Sequence, residues 1–164
     1  MGSMPTLDSI RLDVSAWKPV KTARDMRMWR RGDDEELSIH LFDSPPDIGA
    51  PLDDVAALRA FYGSMVASGG VALVSVDLRT IGTPPLSWIE VILELPAPGS
   101  APTLDPGGYS ATLTLPRRDF SFVLKLQCGA IDRLRSTLDA LEASLVVDEG
   151  VRTSLPPPPV PDGA

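Results

Sequence analysis

Polar and apolar residues alternate twice early in the chain. In Met26-Arg27-Met28-Trp29-Arg30-Arg31 the methionines fall on one face and Arg27, Trp29 and Arg31 on the other; in Glu36 to Phe42, the residues Leu37, Ile39 and Leu41 share a side. A two-residue period is that of a half-buried strand. Gly32-Asp33-Asp34 between the two runs is a turn signal, so the pair predicts a β-hairpin that sets Arg30-Arg31 near Glu35-Glu36. The period then changes. Val55, Leu58, Phe61, Tyr62, Met65 and Val66 recur at helical spacing, with Asp53 or Asp54 as N-cap and Gly69-Gly70 as the stop. Val71 to Thr80 is rich in β-branched residues, and in Trp88 to Leu95 the residues Ile89, Val91, Leu93 and Leu95 share a face opposite Trp88, Glu90 and Glu94, predicting that the second face is partly exposed. Tyr109–Leu115 and Phe120–Cys128 flank the turn Pro116-Arg117-Arg118-Asp119 as a second hairpin. Ile131, Leu134, Leu138, Leu141 and Leu145 trace a last helical face, with Asp132, Arg133, Arg135 and Glu142 opposite.

Four successive strands with short links cannot hold crossover helices, so they pair antiparallel. The pattern predicts an α+β domain: an antiparallel sheet of about six strands with two amphipathic helices packed on it. Residues 1–9 read as a lead-in whose Met1–Ser3 is a cloning remnant, although a precursor relieved of its leader would look the same. Residues 10–147 read as the domain and 148–164 as a proline-rich tail, while 1–25 read as a short strand or an irregular lead-in with Leu7, Ile10, Leu12, Val14 and Trp17 as scattered apolar anchors. Pro156 to Pro159 cannot enter a helix or a central strand, because proline lacks an amide donor. Residues 96–108 are a Pro/Gly loop by composition.

Composition narrows the function. Fifteen Lys+Arg against 22 Asp+Glu give a net charge of −7, which argues against nucleic acid as a partner. One Cys excludes an internal disulfide, and one His excludes a metal site needing two imidazoles; no metal or cofactor is expected. No apolar run reaches the length of a membrane span, and with Cys128 unpaired the cytoplasm is the expected compartment.

Chemistry-bearing motifs are sparse. There is no phosphate-cradling glycine loop and no nucleophile elbow, and Gly63-Ser64 lies inside a predicted helix. No catalytic residue is assigned. Two function classes stay open. The first is a non-catalytic module acting through a protein partner. Lys18, Lys21, Arg24, Arg27, Arg30 and Arg31 gather positive charge in an acidic chain, and Arg27, Trp29, Arg31 and Trp88 are the candidate contacts. If a helix covers their face, the two indoles are core instead. The second is a small-molecule-binding domain or enzyme with a pocket between sheet and helices, using His40 and Asp43. An inhibitor or immunity-type protein is compatible with the acidic composition.

The layout of hairpin Met26–Phe42, helix Asp53–Ser68, strands from Val71 to Cys128 and closing helix Ile131–Leu145 resembles the PsbP-like superfamily over roughly residues 10–147. The nearest thing to a signature is the hairpin Tyr109-Ser-Ala-Thr-Leu-Thr-Leu-Pro-Arg-Arg-Asp-Phe-Ser-Phe-Val, which carries no catalytic content. The resemblance implies a non-catalytic accessory or binding module. Residues 96–108 and the basic segment depart from that layout.

Overall fold

The computed structural model describes residues 5–67, 71–95 and 108–157. The terminal residues 1–4, the predicted helix stop at Gly69-Gly70, nearly all of the 96–108 loop and the last prolines lie outside them. A 3-10 turn at Leu7–Ser9 leads into β1 (Ile10–Arg11), β2 (Lys18–Thr22), β3 (Met26–Arg31) and β4 (Glu35–Phe42); α1 (Val55–Val66) follows, then β5 (Ala72–Ile81), β6 (Leu86–Glu94), β7 (Tyr109–Pro116), β8 (Ser121–Cys128), α2 (Ile131–Ser144), β9 (Val146–Val147) and a final turn of helix, α3 (Glu149–Arg152). The main sheet has seven strands in the order β2-β3-β4-β8-β7-β6-β5, and β1 pairs with β9 apart from it. Among the described residues every pairing between these strands is antiparallel, with one isolated parallel bridge between Thr83 and Val146. The fold is α+β, as the alternation predicts.

Local chemistry explains the elements. Gly32, at φ +64, turns β3 into β4 in a conformation that costs glycine nothing. The Asp54 carboxylate accepts the Ala57 N–H at 3.1 Å and caps α1. The chain then crosses the sheet through α1, so that β5 starts the far edge and the meander β5-β6-β7-β8 closes back against β4.

The two helices lie on opposite faces. On one face, α2 buries Leu134, Leu138 and Leu141 against Leu37, Ala111, Leu113, Leu124 and Leu126, with Trp88, Ile92 and Phe122 in the same core. On the other face, α1 and residues 48–52 pack on β5 and β6: Leu58 meets Ala50, Val76, Ile89 and Val91 in a second, smaller core. The main core reaches further along the chain than residues 10–147. Leu7 on one side and Val151 on the other are both fully enclosed in it.

Candidate functional site on the uncovered sheet face

Strand parity fixes what each face presents. On β4, Leu37 and Ile39 point to α2, so Glu36, Ser38, His40 and Phe42 occupy the opposite face. Register then extends that face sideways. One cross-strand line runs Met26–His40–Val123–Thr114, the next runs Lys21–Met28–Ser38–Lys125–Thr112, and a third runs Lys18–Arg30–Glu36–Gln127. Helix α1 packs on β5, and the 43–54 segment crosses toward it, its Ser44 carbonyl accepting the Ser121 hydroxyl at 3.1 Å. Among the described residues, no helix packs over β3, β4 and β8 on this face. Met26, Met28, His40 and Val123 are half-buried there, Lys125 is exposed, and Phe42 is 48% exposed. The His40 and Phe42 rings stack at 6.0 Å between centroids with planes 10° apart. Partial burial pushes the His40 pKa below its ordinary value, and the Lys125 ammonium pushes the same way against the weaker pull of Asp25. A neutral imidazole beside a phenyl ring makes this an amphipathic surface, with lysines at its margins.

Among the described residues, the charge on this face is uneven. Arg30 and Glu36 form a pair at 3.5 Å, whereas Lys18, Lys21 and Lys125 have no carboxylate within ion-pair distance. The face is therefore net positive on a chain of net −7.

The four contact residues named from sequence lie on the other side, as their parity requires, but α2 and the N-terminal segment occupy that side. Trp88 is 0% exposed and belongs to the core, across β4, β8 and β7 from the other three. This corrects its assignment as a contact residue. Trp29 is half-buried against the same core. Arg27 pairs with Asp8 at 2.7 Å and holds that carboxyl below its usual range. Arg31 is more deeply engaged: Nε and Nη2 donate to the two Glu35 oxygens at 3.2 and 2.7 Å, Nη2 also donates to Thr137 at 3.0 Å, and the guanidinium lies 4.5 Å over the Trp17 ring. These contacts hold the protein's own elements together. The pocket pairing of His40 and Asp43 is likewise not assembled. Asp43 is exposed one residue past the end of β4, and among the described residues no hydrogen bond links it to His40. Cys128 sits under α2, where burial and the Glu35 carboxylate push its thiol up to about 12. That is the state of a packed small side chain rather than a nucleophile.

Met26, Met28, Phe42, Val123 and Lys125 were not singled out by sequence reasoning. The signal was present in the alternation itself: the residues between Leu37, Ile39 and Leu41 include His40 and Phe42, and those between Leu124 and Leu126 include Lys125. What alternation lacks is the position of the covering helix.

No family model matches the chain, and no curated protein matches it in sequence. Solved structures do. The chain is similar to cyanobacterial PsbP (CyanoP) from Synechocystis sp. PCC 6803, at 14% identity and a TM-score of 0.51, over 90% of this chain and 98% of that one. A crystal structure from Bacteroides thetaiotaomicron VPI-5482 aligns at 10% identity and a TM-score of 0.45, over 86% of this chain and 46% of that one. The fold is thus PsbP-like, as the order of elements predicts. Among the described residues no helix is long and apolar enough to cross a membrane.

Proposed function

We propose that the chain is a non-catalytic binding module that docks an acidic protein segment bearing apolar side chains on its β3–β4–β8 face. The observation that carries this reading is the juxtaposition on that face of Met26, Met28, His40, Phe42 and Val123 with Lys21 and Lys125, neither of which has a carboxylate partner among the described residues. Methionine and phenylalanine supply adaptable apolar contact, and unpaired lysines at the margin steer an oppositely charged segment. The PsbP-like fold supports the reading only as a scaffold.

The test places a photo-cross-linking side chain at Met28, at Phe42 and, as control, at Arg135 on the solvent side of α2, in the cell that makes the protein. A discrete adduct from Met28 and Phe42, absent from Arg135 and lost when Lys21→Glu and Lys125→Glu are combined, is the expected result. No adduct from the sheet face, or one that appears equally from Arg135 or survives the charge reversal, would overturn the proposal.

A further inference from the structure

Three charged side chains that the docking surface does not use meet at the opposite end of the sheet. Glu90 of β6 and Glu142 of α2 are 5% and 6% exposed, far inside the range where an ionised carboxylate needs a partner for each oxygen. Among the described residues they have one cation between them. Arg79 of β5, placed there by its register opposite Trp88, donates to Glu142 Oε2 at 2.7 Å and stands 3.9 Å from Glu90 Oε2. Glu142 Oε1 is buried, with no hydrogen-bond donor among the described residues. Asp77, cross-strand partner of Glu90, and Asp139, one turn before Glu142, add negative charge at the margin. The strands directly beneath α2 are apolar on that side, where β7 and β8 present Ala111, Leu113, Leu115, Phe122, Leu124 and Leu126, and the Arg31–Glu35 pair meets α2 at Thr137 instead. Two ionised carboxylates around one guanidinium would leave an uncompensated buried charge and an orphaned acceptor. One added proton removes both defects, because a carboxyl O–H on one glutamate satisfies an oxygen of the other.

We propose that Glu90 and Glu142 form a proton-binding pair, sharing one proton that fastens α2 to β6 beneath Arg79. The cleft beside them, about 370 Å³ and lined by Arg79, Ile81, Gly82, Thr83, Asp139, Glu142 and Ala143, gives water a path for exchanging that proton. Losing the proton weakens the grip of α2 on the sheet, so the packing of this helix responds to pH near neutrality.

The sign follows from linkage. Burial, and next the Glu90 carboxyl, push Glu142 from its ordinary 4.5 up to about 7. The folded state therefore holds a proton that the unfolded chain has lost. The contribution is complete below the unfolded value and disappears as pH rises through the folded one. His40 acts in the opposite sense, since its pKa is lowered on folding, so it is cancelled by comparison at constant His40.

The experiment measures urea unfolding of the full chain at pH 6 and pH 8 for wild type and Glu142→Gln, whose amide donates a hydrogen bond to Glu90 at every pH. The ratio of wild-type to variant unfolding constants is expected to rise about tenfold over that interval. Glutamate side-chain carboxyls labelled with carbon-13 provide a second readout that needs no variant. Of the chain's six glutamates, Glu142 should show a resonance titrating near neutrality. A ratio unchanged between pH 6 and 8 would overturn the proposal, and so would spectra in which every glutamate titrates below pH 6.

Discussion

Replacing Arg31 by alanine tests whether the basic segment serves the fold or a partner. The guanidinium is 34% exposed, but the Glu35 carboxylate that it holds is only 8% exposed. Removing it leaves that carboxylate with only the Thr137 hydroxyl and the Cys128 thiol. Breaking a fully buried pair costs about 3–5 kcal/mol, mostly from the charge left behind. Because Arg31 reaches solvent along a third of its side chain, screening reduces this to about 2 kcal/mol. Loss of the stack on Trp17 adds about 0.5–1 kcal/mol. A destabilisation of about 3 kcal/mol is therefore expected, read as a lower urea midpoint at unchanged m-value at pH 7. The deficit should shrink in acid. Arg31 holds the Glu35 pKa below its ordinary 4.5, so the pair contributes stability above that value and loses it as pH falls through the folded one. Arg31→Met with Glu35→Leu, which removes both charges and keeps the volume, should recover most of the loss. An Arg31→Ala variant within 0.5 kcal/mol of wild type at pH 7, or a deficit that fails to shrink as pH is lowered below 4.5, would refute this account of the cluster.

Leu58 is the one fully buried residue of α1, so Leu58→Ala should cost about 2–4 kcal/mol in urea unfolding and raise hydrogen exchange throughout that helix while α2 stays protected. The native Cys128 thiol, held up at about 12, should react with iodoacetamide at pH 8 at least about 100-fold more slowly than in the urea-unfolded chain, as followed by mass spectrometry. Gly108 has φ +120, and a Cβ there would lie 2.9 Å from the Cys128 carbonyl oxygen. Gly108→Ala should therefore lower stability by about 1–3 kcal/mol, and a neutral result in urea unfolding would show that the β7 entrance yields.

Local pattern reached the elements and stopped at their arrangement. The alternation in Met26–Phe42 and the heptad-like leucines of α2 are properties of neighbouring residues, and these elements appear where the pattern puts them. β2 could be read only as a short strand or an irregular lead-in because Lys18-Pro19-Val20-Lys21-Thr22 has no apolar side: all five residues are exposed and its pairing with β3 slips by a bulge. Parity correctly placed Trp29 and Trp88 on one face, but whether a face is surface or core depends on where a helix docks 40 or more residues later. The same gap misled the reading of Glu90 and Glu142. Each sits on what looks like the polar side of its own element, and the two polar sides are folded against each other. Val151 was missed for a related reason, since a single apolar residue in a short turn has no period to announce it, and Leu7, an apolar anchor without a period, was read into the lead-in although it belongs to the core.

The distribution of charge connects these points to the choice of docking face. Of the six cations between Lys18 and Arg31, three are neutralised inside the chain: Arg27 by Asp8, Arg30 by Glu36 and Arg31 by Glu35. Of the other three, Arg24 lies just past β2, and Lys18 and Lys21 lie on this edge strand, where they share the work with Pro19 and the bulge at Val20. Charge, proline and a bulge are the three devices that discourage an edge from accepting another strand. The opposite edge is guarded comparably, with a bulge at Val74 and with Asp77 and Arg79 along β5. An incoming chain that sought backbone hydrogen bonds would meet blocked edges at both ends of the sheet. One that sought side-chain contact would meet Met26, Met28, Phe42 and Val123 between Lys21 and Lys125. The features that keep the sheet from growing sideways are thus separate from the β3–β4–β8 face on which the proposed docking rests.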